Sequence, residues 1–182
     1  MKRVTSVLIL VAALAGCASA PPPRFYTLDM KPSGRAAVTI NVDIDRVRPS
    51  EALARPNILI ETSSTTVDYY QSDQWVQELG ALVAEKLAAE FGPRQTDRTT
   101  LVLYAELQAC GQVDTPAGVE AHLKAEIALR NEDIRRYDAP VLKRTYEARR
   151  PATTADASGV VAALSACVEE IAVQVAADIG KL

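Results

Sequence analysis

The side chains of this 182-residue chain best able to carry covalent or acid–base chemistry are three cysteines and one histidine. His122, the sole imidazole, falls at a polar position of a stretch in which apolar and polar residues alternate, so it is expected on a solvated surface rather than as a base or ligand. Without it no nucleophile–base pair can be drawn, and no G-x-S-x-G, H-E-x-x-H, P-loop or glycine-rich nucleotide fingerprint occurs. Asp43 and Asp45, at i and i+2, put two carboxylates on one strand face. That geometry could hold a cation, but alternating polar positions on a wet sheet produce it routinely. No catalytic, cofactor-binding or metal-binding set is therefore expected, and the remaining chemistry is that of the thiols Cys17, Cys110 and Cys167.

Cys17 ends a stretch of familiar order. Lys2 and Arg3 precede an uncharged apolar run from Val4 to Ala15. The run is shorter than the roughly 20 residues a bilayer requires, so it reads as a secretory signal. Leu14-Ala15-Gly16-Cys17 resembles the lipobox of bacterial lipoprotein signals. The resemblance implies cleavage before Cys17, alkylation of its thiol with diacylglycerol and acylation of the new N-terminus. Each buried methylene contributes about 0.8 kcal/mol, so several chains anchor a protein for good. Residues 1–16 are then a lipoprotein signal peptide, and 17–35 a lipidated tether and N-terminal segment. Ala18 and Ser19 follow the cysteine, and by resemblance to lipoprotein sorting the lack of aspartate there implies the periplasmic face of the outer membrane. Prolines 21–23 stiffen the tether.

Two cysteines left in an oxidising compartment suggest one disulfide, tying the strand around Cys110 to the helix around Cys167. The alternation argues the other way. Cys110 has the parity of Val102, Tyr104, Glu106 and Gln108, opposite to Leu101, Leu103 and Leu107. It points away from the helices unless Gly111 marks a bulge or the strand has ended. Both outcomes stay open at this point.

The elements that hold these residues follow from periodicity. Val38, Ile40, Val42 and Ile44 alternate with polar residues as a strand, Arg48–Pro56 is a loop, and strands at Ile58–Glu61 and Thr65–Tyr70 flank a turn at Ser63-Ser64. A helix capped by Ser72 or Asp73 carries Trp75, Val76, Leu79, Leu82, Val83, Leu87 and Phe91, with Trp75 as its core anchor, and Gly92-Pro93 ends it. Strands follow at Leu101–Val113, Val119–Asn131 and Val141–Arg149, then a helix from about Asp156 to Ile179. In the strand from Val119, Ala121, Leu123, Ala125, Ile127 and Leu129 face one way, and Glu120, His122, Lys124, Glu126 and Arg130 the other. One sheet face is therefore wet, which favours antiparallel pairing. The expectation is an α+β two-layer sandwich, β-β-β-α-β-β-β-α, its mostly antiparallel sheet carrying two helices on one face, as a single domain over 36–182. At 48 % hydrophobic and 24 % charged residues the chain suits one globular domain. A net charge of −3 with no basic block argues against a nucleic-acid partner.

Several motifs in order now resemble the ABC-type transport auxiliary lipoprotein family (PqiC/YmbA-like). After the lipobox and the proline tether comes Phe25-Tyr26-Thr27-Leu28, similar to the family's Y-Y-T-L segment, with Phe25 in place of the first tyrosine. Arg55-Pro56-Asn57-Ile58 resembles R-P-x-I, and Val67–Trp75 with Glu78-Leu79 resembles the β-rich stretch closing on tryptophan. Gln77 departs from the family's alanine or glutamate, and the C-terminal half matches by pattern alone. The resemblance implies a non-enzymatic, outer-membrane-tethered partner of an MCE-domain protein in a system that moves phospholipid or related molecules between membranes. A homo-oligomeric ring would suit a tubular partner, though no residue in the sequence demonstrates one. Phe25, Tyr26 and Leu28 form a candidate partner interface by pairing with an exposed sheet edge, and that edge could equally belong to the same domain. Tyr69 and Tyr70 point to opposite sides of their strand, leaving one as a further interface candidate. A structural envelope lipoprotein aiding outer-membrane protein assembly is the alternative of a different class.

Overall fold

The computed structural model describes residues 21–132 and 139–182; Cys17 and the signal lie outside the described residues. Seven strands and two helices follow one another as β1 (Arg24–Tyr26), β2 (Asn41–Pro49), β3 (Asn57–Ser63), β4 (Thr66–Trp75), α1 (Leu79–Phe91), β5 (Thr100–Thr115), β6 (Gly118–Asn131), β7 (Leu142–Pro151) and α2 (Ala157–Ile179). As expected, the fold is α+β with both helices on one face of a single sheet; the sheet has seven strands rather than six, β1 being the addition, in the order β1-β4-β3-β5-β6-β7 with β2 also on β5. The sheet is mixed. Its long β5-β6-β7 meander and the β3-β4 hairpin are antiparallel, while β1 joins β4, and β2 and β3 join β5, in parallel.

β5 is the spine. One of its edges takes β6 along its whole length, and the other takes β2 from Thr100 to Leu107 and then β3 from Gly111 to Val113. Between those two strands the chain steps outward at Pro49 through one 3-10 turn, Glu51–Leu53, held by Ser50 N–H donating to the Leu107 carbonyl at 2.9 Å. The stretch read as a loop from Arg48 thus begins two residues later. Opposite the step, the β5–β6 register slips at Gln108. Before it, Leu103, Ala105 and Leu107 sit opposite Leu129, Ile127 and Ala125 on the helix side. After it, Cys110 and Gln112 take over that side, opposite Leu123 and Ala121. A bulge moves every later side chain to the other face. Cys110 therefore faces the helices, through a bulge three residues earlier than the Gly111 the sequence offered.

The core is the layer between sheet and helices, where Leu103, Leu107, Leu123, Ile127 and Leu129 meet Leu82 and Leu87 of α1 and Val160, Leu164 and Ile171 of α2, all essentially inaccessible. Each such side chain contributes on the order of 1.5–3 kcal/mol by leaving water. α2 is long and apolar enough to cross a membrane, and burial in this layer accounts for that composition. Asp156 caps it, its carboxylate accepting from Gly159 N–H at 2.9 Å. Trp75 is buried, as expected, but as the last residue of β4 rather than in α1. β1 pairs with Asp73–Trp75 and holds that stretch extended, so the helix starts four residues later.

After β1 the chain crosses the helix layer as a strap over residues 27–36. Leu28 and Ala36 are each 1 % exposed. Of the tether and N-terminal segment set apart over 17–35, the part from Arg24 onward belongs to the packed fold. Its pins are polar: Asp29 N–H donates to Ser165 Oγ at 3.0 Å, the Lys31 carbonyl accepts from Lys86 Nζ, and Ser33 N–H and Oγ donate to Glu90.

At the C-terminal end of α2, Asp178 receives Lys181 Nζ at 2.7 Å, Tyr146 Oη at 3.0 Å and an Arg144 guanidinium nitrogen at 2.7 Å. Those donors, Lys181 and Tyr146 foremost, hold its carboxyl down at about 2. A depressed folded value stabilises the protein above the ordinary carboxyl range, and the contribution is lost as pH falls. Asp178→Asn is accordingly expected to lower the thermal midpoint at pH 7 and to lose most of that difference between about pH 4 and pH 2. An equal difference at pH 7 and pH 2.5 would show that the charge on Asp178 does not matter.

Candidate functional site

The N-terminal segment with its latch is the part of the fold that joins the domain to whatever precedes it. Arg24 grips Asp73 with two bonds, Nε to Oδ1 at 2.6 Å and Nη2 to Oδ2 at 2.9 Å, and this pairing raises the guanidinium pKa above its ordinary value. Of the three residues proposed to meet a partner, the structure splits the set. Phe25 is 61 % exposed, Tyr26 packs on the core edge opposite Trp75, and Leu28 is a core residue. Leu28 is thereby withdrawn from the interface. The sheet edge this segment meets is its own domain's β4, and among the described residues no strand pairs with the other side of β1.

Lys86 is the residue the sequence reading missed. It lies on the buried face of α1, and neither its side chain nor that of Glu90 is accessible. Its ammonium reaches Glu90 Oε1 at 2.8 Å and Glu169 Oε1 of α2 at 3.0 Å, so one charge joins strap, α1 and α2. Burial opposes that charge, but the bonds from Glu90 and then Glu169 outweigh it and raise the lysine pKa. Burial likewise works against ionised Glu90, and the donors Lys86 and Ser33 prevail and lower its pKa. The available signal was position: Lys86 follows Leu82 by four residues and Val83 by three, on the apolar stripe itself.

His122 is buried at 6 % exposure, which corrects the solvated placement. It does lie on the outer sheet face, but directly opposite Gly111. With no side chain there, the imidazole reaches across β5, placing Nδ1 3.6 Å from Glu61 of β3, while Nε2 sits 3.0 Å from Glu147 of β7. Nδ1 has no hydrogen-bond partner. Among the described residues no group of three His, Cys, Asp or Glu side chains is arranged to hold a metal ion. Asp43 is taken by Arg94 at 2.9 Å, and a second register slip, at Asp45 in β2, breaks the pattern that aligned the two carboxylates. Both tyrosines are occupied within the domain: Tyr69 Oη donates to the Ala52 carbonyl under the Arg55 guanidinium, and Tyr70 Oη donates to Gln112 Oε1. Neither serves as a free interface residue.

Cys110 and Cys167 are both buried and both free thiols, where a disulfide was one of the two sequence options. The bulge brings Cys110 to the helix side, yet Cys167 Sγ lies toward the Ala121 carbonyl at 3.9 Å. Burial pushes each thiol up to about 12. In a native Cys17→Ser protein neither is expected to react with a thiol reagent, and both should react after unfolding in denaturant. One equivalent labelled in the native state would contradict the burial, and none after unfolding would show them paired.

What these parts define is a class: a two-layer α+β domain carried on an N-terminal segment latched into its own sheet and helices. Residues 26–176 match the family of ABC-type transport auxiliary lipoprotein components, and the chain belongs to that family. Two solved structures share the fold. One is an uncharacterized protein, 14 % identical with a TM-score of 0.66, the match covering 87 % of this chain and 99 % of that one. The other is a Xanthomonas campestris protein of the DUF330 family, 13 % identical with a TM-score of 0.63, covering 84 % of this chain and 92 % of that one. No curated protein matches the sequence.

Proposed function

We propose that this protein is the non-enzymatic, outer-membrane-anchored periplasmic subunit of an ABC/MCE-type lipid transport system, bridging an MCE-domain partner to the outer membrane. The observation that carries the reading is the family match, which runs from β1 into the last turns of α2 and so takes in the whole folded domain. The lipobox-like sequence at Cys17 supplies the anchor. With Cys17 lipidated, the seven residues to Arg24 reach at most about 25 Å, which keeps the β1 side of the domain close to the lipid surface. Phe25, exposed on the edge strand β1, is the candidate contact for an extended partner segment pairing with that strand.

The test is a mild crosslink in intact cells, purification of the membrane-bound protein, and mass spectrometry of what comes with it. Recovery of an MCE-domain protein, weakened by Phe25→Asp, is the expected result. Recovery of only an outer-membrane barrel would sink the transporter role in favour of envelope assembly. A protein that leaves the membrane fraction unchanged on Cys17→Ser would remove the anchor.

A further inference from the structure

The sheet face turned away from the helices carries an open groove of about 470 Å3, walled by β2, β5, β6 and β7. That volume lies within the range of about 300–1,000 Å3 typical of small-ligand sites. Its floor is Tyr104 with Ala128 directly across from it on β6, and the small partner is what leaves the space. The slip at Asp45 re-aims β2 so that Arg46 stands opposite Tyr104 and Arg48 opposite Glu106, both along the groove wall.

The charges in the groove are arranged unlike those elsewhere. Arg24, Arg94, Arg144 and Arg150 are each held by a carboxylate of the domain. Arg46 and Arg48 are exposed and make no ion pair or side-chain hydrogen bond with another described residue. Glu106 and Glu126 face each other across β5 and β6, a like-charge pairing that costs stability. Lys143 relieves Glu126 at 2.8 Å, while Glu106 has no partner among the described residues. Two free guanidinium groups on one strand suit the oxygens of a phosphodiester. The free carboxylate of Glu106 stands one strand away, about 4.8 Å, which suits an ammonium joined to that phosphate by two carbons.

We propose that this groove binds the headgroup of a zwitterionic phospholipid, its phosphodiester on Arg46 and Arg48 and its ammonium on Glu106, with the acyl chains leaving through the open side. The inference rests on the lipid-transport reading and names the chemistry of the cargo.

The test titrates the full-length protein, in neutral detergent, with dihexanoyl phosphatidylethanolamine, dihexanoyl phosphatidylglycerol and inorganic phosphate, followed calorimetrically. Saturable binding of the first is expected, weakened at least tenfold by Arg46→Gln/Arg48→Gln. Glu106→Gln should weaken phosphatidylethanolamine while leaving phosphatidylglycerol unchanged. All three side chains are exposed, so the variants should melt as the parent does. Absence of saturable binding, or binding indifferent to the arginine pair, overturns the proposal. Inorganic phosphate binding as tightly as the lipid would overturn it in favour of a free-phosphate site. The two readings fail separately: an MCE partner recovered from a protein that binds no headgroup sinks only the groove, and headgroup binding without an MCE partner sinks only the transporter role.

Discussion

Lys86→Met is expected to destabilise the domain by roughly 3–5 kcal/mol, the range for removing one partner of a buried ion pair. For a domain of this size each kcal/mol moves the midpoint by about 2–4 °C, so the melt should fall by about 6–20 °C. The loss comes less from the missing attraction than from Glu90, which stays inside with only Ser33 to satisfy it. Two further measurements separate this cause from simple loss of packing. Lys86→Met/Glu90→Leu should recover much of the deficit, because a well-packed apolar pair avoids the desolvation of both charges. The single variant should also lose part of its deficit at acid pH, because burial without a cation raises the pKa of the stranded carboxylate and it takes up a proton before the unfolded chain does. In the parent the signs run the other way: the lowered Glu90 value stabilises above 4.5, and the raised Lys86 value stabilises below 10.5. A single variant within 1 kcal/mol of the parent would show that the buried Lys86–Glu90–Glu169 cluster contributes nothing.

Gly111→Val should be nearly as severe for a geometric reason. A Cβ at Gly111 would stand 2.5 Å from the Leu59 carbonyl oxygen and 3.1 Å from Leu59 Cβ, in the interior of the sheet where β3 joins β5. Backbone cannot swing aside as the tip of a long side chain can, so strand separation or bending must absorb the overlap. Overpacking costs about 1–3 kcal/mol per site, and a branched residue here belongs at the top of that range. The added methyl groups would also fill the gap His122 uses to approach Glu61. Urea denaturation should place Gly111→Ala between the parent and valine. An alanine variant within about 0.5 kcal/mol of the parent would mean that the strands shift freely at this point.

Where periodicity was long and uninterrupted, the sequence was a sound guide. The inward set of β6 from Ala121 to Leu129 is buried residue for residue, and α2 begins within a residue of its expected start. The family resemblance rested on short motifs of the N-terminal half, and the match over 26–176 extends it through the rest. What escaped is what a period cannot encode. The slips at Asp45 and Gln108 each reverse inside and outside, and neither position holds a glycine or proline to announce it. Trp75 fits a helical stripe as well as a strand end, and β1, remote in sequence, decides between them. His122 is polar by alternation and buried by topology, since the alternation says nothing of the glycine across the strand. Lys86 stands on the apolar stripe of α1, but two of the groups that let a charge stay there, the Lys31 carbonyl and Glu169, come from elements remote in sequence.

The strap also sets how the domain would carry a load. A pull transmitted from the membrane side meets first the Arg24–Asp73 grip and the three residues of β1, then Leu28, and only then the pins at Ser165, Lys86 and Glu90. These fastenings lie in series along the chain, so tension acts on them one after another rather than all at once. Peeling residues 24–36 would lengthen the leash by thirteen residues, up to about 45 Å of extended chain, while β2 to α2 keep their own pairings. A segment that pays out in steps lets the folded domain keep its sheet and helices while the chain that precedes it moves.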